Sequence, residues 1–273
     1  MTDTAPRIRV ALAGVTGWAG APLARGIVAA PDLRLVAGIA RRAAGKLVGD
    51  ALDIDCAAPV VATAAEALAQ GVDVFFEYSK PEIAIVNVLA ALQAGAHVVV
   101  GTSGLSDEEY ARIDAAARAA GRGVLACGNF AITAVLLQKF AEMAVKWLPD
   151  VELIDYAKAG KADVPSGTVR ELSVRLGAAR GEARASALPL AQLRGPVETR
   201  GAEMSGIPVH AIRVPGFVLG VEVIFGAADQ RLHLRHEAGG SAEPYVPGAL
   251  LAIRRVAGLV GVVRGLDRVM QDS

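Results

Sequence analysis

Cysteine is nearly absent from the chain: Cys56 and Cys127 stand alone among 273 residues, without the paired spacing of a zinc site or a disulfide framework. A reducing, cytoplasmic home is therefore expected. Histidine is scarce too. His97 begins a buried run, His210 sits near the start of a strand, and His233 and His236, three apart on an expected strand, point to opposite faces and cannot form a ligand pair. No metal site is expected. A charge excess of either sign is also missing, since 28 Lys and Arg balance 28 Asp and Glu, which argues against nucleic acid and anionic membranes as partners. A small molecule is the default partner. No apolar run approaches the roughly 18 residues of a membrane span, and the opening MTDTAPRIRV lacks a basic segment leading into an apolar one. A soluble, unprocessed protein is the expectation.

What the chain does contain is apolar residues, 53% of the total, which over this length suffice for two domains of ordinary size. From Ile8 to Val100 short β-branched runs alternate with Ala- and Leu-rich segments of helical period, the rhythm of βαβ units around a parallel sheet. Strands are expected at Ile8 to Ala13, Leu33 to Ala40, Val72 to Glu77, His97 to Gly101 and Gly123 to Cys127, with helices at Glu82 to Gln93 and Ser106 to Ala119. After Asn129 the pattern changes to a helix reaching Lys146, a strand at Val151 to Tyr156, a polar loop and a helix from about Val169. Val209 to Arg213, Val218 to Phe225 and Arg231 to Glu237 then have the look of antiparallel strands, the last with Leu232 and Leu234 alternating with polar residues. Leu250, Ile253, Val256, Leu259, Val260 and Val263 give the tail a helical spacing. The expected fold is α/β: a Rossmann dinucleotide-binding domain over residues 1–128, an α+β substrate and oligomerisation domain with a mostly antiparallel sheet over 129–244, and a helical tail, 245–273, packed back on the first domain.

At the first strand-to-helix turn, Gly14, Thr16, Gly17, Trp18, Ala19 and Gly20 form a GxxGxxG segment in which glycine lets a pyrophosphate approach the helix amides. A purely structural turn is the alternative. Where a dinucleotide fold often places an acid for the ribose 2′-OH, about twenty residues on, this chain has Arg41 and Arg42, which can clamp a 2′-phosphate or merely solvate a loop. NADPH is expected, with NADH as the alternative. Short-chain dehydrogenases also carry GxxGxxG, but they need a Lys four residues after a catalytic Tyr, and Tyr78, Tyr110, Tyr156 and Tyr245 all lack it.

The segment IDYAKAGKADVPSGTVREL carries the second candidate site. Thr168 and Glu171 are expected to form a capping box, with Ser166 and Gly167 just ahead, so that backbone N–H groups and the positive helix end converge near Lys161 on a site suited to a carboxylate. Here the chain resembles dihydrodipicolinate reductase, a lysine-pathway family whose substrate loop ends in Lys-x-Asp-x-Pro-Ser-Gly-Thr, matched by Lys161, Asp163, Pro165, Ser166, Gly167 and Thr168. The resemblance extends to the Gly14–Gly20 turn, Tyr78-Ser79-Lys80-Pro81-Glu82, Gly101-Thr102-Ser103-Gly104 and Gly128-Asn129-Phe130-Ala131. It implies cofactor contacts at Tyr78 and Ser79, a nicotinamide held by Gly101, Thr102, Ser103, Asn129 and Phe130, a substrate carboxylate held by Lys161, Ser166, Gly167 and Thr168, and a homotetramer joined through the second domain's sheet.

Several family positions differ. The usual His-His pair, one member a proposed proton donor, is Ala157 and Lys158; an acid and a His give way to Val221 and Glu222; an expected Arg stands at Ser241. The resemblance thus implies hydride transfer from NADPH to a small anionic imine or enamine, 4-hydroxytetrahydrodipicolinate or a related compound, with a non-catalytic NADPH-binding protein as the contrasting reading. Lys158 becomes the candidate proton donor, on the argument that two ammonium groups three residues apart disfavour each other's charge, with Tyr156 in reserve.

Overall fold

The computed structural model describes residues 6–181 and 188–270. The stretch Gly177 to Gly195, patternless in sequence, lies partly outside them. Two compact units are formed, one of Met1–Ile132 with Ala242–Ser273 and the other of Thr133–Ser241. Along the chain the first unit contains β1 (Ile8–Ala13), α1 (Gly20–Ala29), β2 (Leu33–Ile39), α2 (Val48–Leu52), β3 (Val60–Val61), α3 (Ala64–Leu68), β4 (Val74–Glu77), α4 (Pro81–Gln93), β5 (His97–Val100), α5 (Asp107–Ala120) and β6 (Gly123–Ala126). The second contains α6 (Ile132–Val145), β7 (Asp150–Ala157), α7 (Gly167–Ala179), β8 (Ala202–Met204), β9 (Ile207–Arg213), β10 (Leu219–Ala227) and β11 (Gln230–Ala238), after which α8 (Val246–Arg255) and β12 (Gly261–Arg264) return to the first.

The first sheet runs β12-β6-β5-β4-β1-β2-β3, all parallel. Its strands are near-continuously apolar because helices cover both faces: Val88, Leu92, Ile113 and Ala117 from α4 and α5 pack on one side, while α1 and α8 contact each other and bury Leu23, Ile27, Ala252 and Ile253. Strand order reverses between β1 and β4, so the carboxyl ends of these two strands form the crevice where open parallel sheets receive ligands. The expectation of a helical tail is corrected here. Helix α8 stops at Arg255, and Gly261 and Gly265, at φ of 80° and 100°, bracket a short strand that extends the sheet beside β6.

In the second unit the sheet order is β11-β10-β7-β9-β8, antiparallel throughout except that β9 runs parallel to β7. The sheet is thus mostly antiparallel, as expected, with one parallel pair. A parallel pair needs a crossover connection, and helix α7 lies in the chain between β7 and β9. Leu153, Val221, Val223 and Phe225 face α6 and α7, meeting Leu137, Ala141, Val169 and Leu172. By the two-residue alternation of strands, Glu152, Tyr156, His210, Glu222, His233 and Arg235 occupy the other face, where ion pairs and hydrogen bonds link Glu152 with His210 and Glu222 with Tyr156 and His233.

Candidate active site

The glycine turn at the end of β1 is built for close backbone approach. Gly14 has φ of 76°, and a Cβ there would lie 2.3 Å from the Tyr78 carbonyl oxygen; a Cβ on Gly20 would lie 2.0 Å from the Gly14 carbonyl oxygen. Both clashes are with backbone, so no side chain can move aside. Helix α1 therefore starts directly against the turn, with no capping side chain and no acidic residue in its first turn. Its positive end is left for an anion, which is the fit a dinucleotide pyrophosphate requires.

Two cavities flank this turn, and Tyr78 and Ser79 line both. The larger, about 860 Å³, brings Gly14, Thr16 and Gly17 together with Arg41, Arg42, Lys80 and an apolar wall that includes Ile83 and Val86. No carboxylate lines it. The smaller, about 370 Å³, is lined by Trp18, Ala19, Gly101, Thr102, Ser103, Asn129 and Phe130. Every cofactor residue expected from sequence except Gly20 lines one cavity or the other, and Gly20 is the glycine on which the turn closes. Lys80, Ile83, Val86 and Tyr245 were not anticipated in these roles; Lys80, two residues after Tyr78 in the turn, was the one with a legible signal.

Aromatic rings wall the smaller cavity. Tyr78 stands edge-on to Phe130 with centroids 5.8 Å apart, and the exposed Trp18 is edge-on to Tyr245 at 5.8 Å. Tyr78 lies so close over Gly101 that a Cβ there would come within 2.0 Å of its ring. Burial pushes both the Tyr78 and Tyr245 phenols up, so they stay protonated near neutral pH. Asn129 Oδ1 accepts from the Ala131 N–H at 2.8 Å, which fixes the chain just before α6.

Between Ser79 and Thr102 lies a residue that an apolar strand pattern conceals. Glu77, at the end of β4, is fully buried, and its Oε1 accepts from the Ser79 N–H at 2.7 Å, from the Ser79 hydroxyl and from Thr102 Oγ1 at 3.3 Å; its Oε2 accepts from Asn87 Nδ2 at 2.8 Å. Burial pushes its carboxyl above the usual range, while the Ser79, Asn87 and Thr102 donors pull it the other way.

The second unit holds the Pro-Ser-Gly-Thr turn. Ser166, not Thr168, is the N-cap of α7, its Oγ accepting from the Val169 N–H at 3.4 Å. The expected Thr168–Glu171 capping box is thus corrected: the helix begins at Gly167, two residues too early for it, and Glu171 instead lies 3.6 Å from Arg175 along the helix. No acid occupies the first turn, so the helix end remains positive. Two residues that sequence reasoning missed brace the turn. Buried Asp155 accepts from the Ser166 N–H at 2.8 Å and from Arg213 Nη2 at 2.6 Å, and Arg213 also donates to the Asp163 carbonyl at 2.9 Å. Lys161 Nζ pairs with Asp163 Oδ1 at 2.7 Å, holding that carboxyl below the usual range. Lys158 is exposed, and its carbonyl accepts from the Lys161 N–H at 3.1 Å.

Tyr156 is carried elsewhere. Its neighbour Asp155 faces the helices, so Tyr156 points to the open face of the sheet, where its hydroxyl donates to Glu222 Oε2 at 2.8 Å and Arg235 stacks over its ring. Burial and the Glu222 carboxylate both raise its pKa. A phenol so bonded is a poor acid, and the structure does not bring it to the Ser166 turn. Among the described residues no group of three or more ligand-type side chains could hold a metal, and no helix is long and apolar enough to cross a membrane.

Comparison with known proteins agrees with this geometry. The family models for the dihydrodipicolinate reductase N-terminus and C-terminus match residues 8–130 and 133–270. The 4-hydroxy-tetrahydrodipicolinate reductase of Streptomyces coelicolor is 35% identical over 97% of this chain and 98% of its own length, and that of Mycolicibacterium smegmatis is 33% identical over 97% and 100%. Among solved structures, a dipicolinate-bound dihydrodipicolinate reductase from Paenisporosarcina sp. TG-14 superposes with a TM-score of 0.86 at 28% identity, covering 97% of this chain and all of that one. An amine dehydrogenase from Mycobacterium smegmatis shares the fold alone, with a TM-score of 0.68 at 17% identity over 97% of this chain and 96% of that one. With a glycine turn at the switch point, two cavities flanking it and a Pro-Ser-Gly-Thr turn on its own helix, the chain belongs to the dihydrodipicolinate reductase family and is an NAD(P)H-dependent reductase of that type.

Proposed function

We propose that this enzyme reduces 4-hydroxytetrahydrodipicolinate with NADPH, in the cytoplasm, as a step of lysine and diaminopimelate biosynthesis. The observation that carries the substrate class is the Ser166 turn: a positive helix end, held in place by Asp155 and Arg213, with Lys161 in the same loop, is a receptor for a small carboxylate. Lys161, Ser166, Gly167 and Thr168 bind and orient that carboxylate. When bound, the dihydronicotinamide supplies the hydride. The 4-hydroxyl leaves as water to give a conjugated C=C–C=N system, and once the hydride has added to it the substrate nitrogen takes a proton, which Lys158, or a water it holds, delivers. Ala157 and Lys158 in place of a His pair favour one second reading, reduction of a related carboxylated imine. A screen of NADPH oxidation over cyclic and acyclic carboxylated imines separates the two.

The preference for NADPH rests on Arg41 and Arg42, exposed in a 3-10 turn after β2 at the edge of a cavity that no carboxylate lines. A guanidinium–phosphate pair there is unopposed. NADPH is expected to bind at least about fivefold more tightly than NADH, and Arg41→Ala to erase most of that difference, as read by fluorescence titration. Equal affinities in the unmodified protein would refute the assignment.

We also propose a homotetramer joined through the open face of the second unit's sheet. Ile154, Ile212 and Ile224, each half-buried, lie there among charged residues with no helix of the described residues over them, a mixed surface suited to a partner copy. Light scattering at micromolar concentration should report about four chain masses; a monomer contradicts the proposal. Cys56 and Cys127 are both free thiols, in keeping with a reducing compartment.

A further inference from the structure

We infer that Glu77 is a positioning residue for the nicotinamide half of the cofactor, acting by clamping the Ser79 turn to the Thr102 turn. The inference rests on the assignment of the smaller cavity to the nicotinamide. Glu77 does not itself line that cavity, whereas Ser79 and Thr102 both do. Its place in the sheet is what gives it leverage. It pairs with Ala13 of β1 and Val100 of β5, so it sits at the carboxyl ends of the three strands from which the Gly14, Tyr78 and Gly101 turns depart.

Packing alone does not ask for a carboxylate at this position. The preceding residues of the strand, Val74, Phe75 and Phe76, fill the interior with apolar side chains, and a buried acid costs desolvation unless donors converge on it. Here they do: Oε1 collects the Ser79 N–H, the Ser79 hydroxyl and Thr102 Oγ1, and Oε2 collects Asn87 Nδ2 from α4. Backbone adds to the link, since the Gly101 N–H donates to the Glu77 carbonyl at 2.9 Å. Thr102 Oγ1 lies 3.3 Å from the Glu77 carbonyl oxygen as well, so backbone and side chain of Glu77 together hold the Thr102 turn, and the side chain alone ties it to the Ser79 turn.

What matters on this account is reach and acceptor geometry rather than charge. Glu77→Gln keeps an oxygen where Oε1 stands, and its amide nitrogen can donate to Asn87 once the Asn87 amide turns over. Glu77→Asp keeps the charge but withdraws the carboxylate by one methylene, beyond reach of Thr102. The test measures affinity for NADPH and for 2′,5′-ADP, a probe without the nicotinamide half. Glu77→Asp should weaken NADPH by about tenfold and raise its KM while leaving 2′,5′-ADP within about twofold, and Glu77→Gln should leave both within about threefold of the unmodified enzyme. Equal weakening of both probes by Glu77→Asp would mean a merely structural role, and a Gln variant more than about tenfold weaker for NADPH would mean that charge, not position, matters; either overturns the inference. Should the Asp variant not fold, the Gln result alone still decides on that limit. Gly101→Ala is the control for the underlying assignment, since its Cβ would displace Tyr78 and must weaken NADPH. If it does not, the cavity is misassigned; if it does and Glu77→Asp does not, the inference about Glu77 fails by itself.

Discussion

Lys161→Ala is expected to raise the KM for the carboxylated substrate by on the order of 100-fold while the KM for NADPH stays within about twofold. Truncating one side of a charge-assisted contact to a bound carboxylate leaves that carboxylate without its charged partner, and such losses commonly amount to about 2 to 5 kcal/mol. Asp163 holds Lys161 in the unliganded loop, so the ammonium is already oriented by a carboxylate before a substrate carboxylate competes for it. Lys158→Ala should behave differently. Loss of a proton donor lowers kcat by about 100-fold or more and removes the basic limb of its pH profile, with little change in KM. Steady-state kinetics on the true substrate across roughly pH 6 to 9 separates the two roles. Unchanged kcat throughout that range in Lys158→Ala would assign the proton to solvent or to an already protonated iminium. The structure removes the mutual-repulsion argument for Lys158, because Lys158 is exposed and the Asp163 carboxylate pairs with Lys161, so its candidacy rests on its place in the same loop as Lys161.

Asp155→Ala is expected to destabilise the protein by about 3 to 5 kcal/mol, the usual cost of removing one partner of a buried ion pair. Asp155 is fully buried and Arg213 partly so, and the substitution would strand the guanidinium and leave the Ser166 N–H without its acceptor. Denaturant titration reads the loss directly. Replacing both partners, as in Asp155→Leu with Arg213→Met, should recover much of the stability but not the substrate KM, because the Ser166 turn would still lack its brace. Full stability in the single variant would mean that the pair is not the anchor its geometry indicates.

The fold was legible wherever a single physical cause governed a segment. β1 spans Ile8–Ala13 as expected because a strand buried on both faces must be apolar throughout, and Ser106 caps α5 because its hydroxyl and Glu109 satisfy each other's backbone. β12 was not legible: four residues, Gly-Val-Val-Arg, lie inside a run whose apolar spacing fits a helix, and only the partner strand β6 decides between them. The same holds at the site. The glycine turn and the Ser166 turn announce themselves locally, since glycine conformations and caps are local physics. Glu77 was hidden because an acid at the end of an apolar strand has the pattern of a strand meeting solvent, and its donors come from residues up to 25 positions away. Asp155 and Arg213, 58 positions apart, meet only because β7 and β9 pair in parallel, a register that neither segment specifies alone. Tyr156 was placed correctly on its strand, yet the face it takes is set by which residues pack under α6 and α7.

The measurement that tests the account most directly is NADPH oxidation by the purified enzyme with 4-hydroxytetrahydrodipicolinate as substrate. The account predicts saturable turnover, one NADPH consumed per substrate, with kcat/KM for NADPH at least about fivefold above that for NADH. NADPH that binds but is not oxidised in the presence of this compound would contradict it.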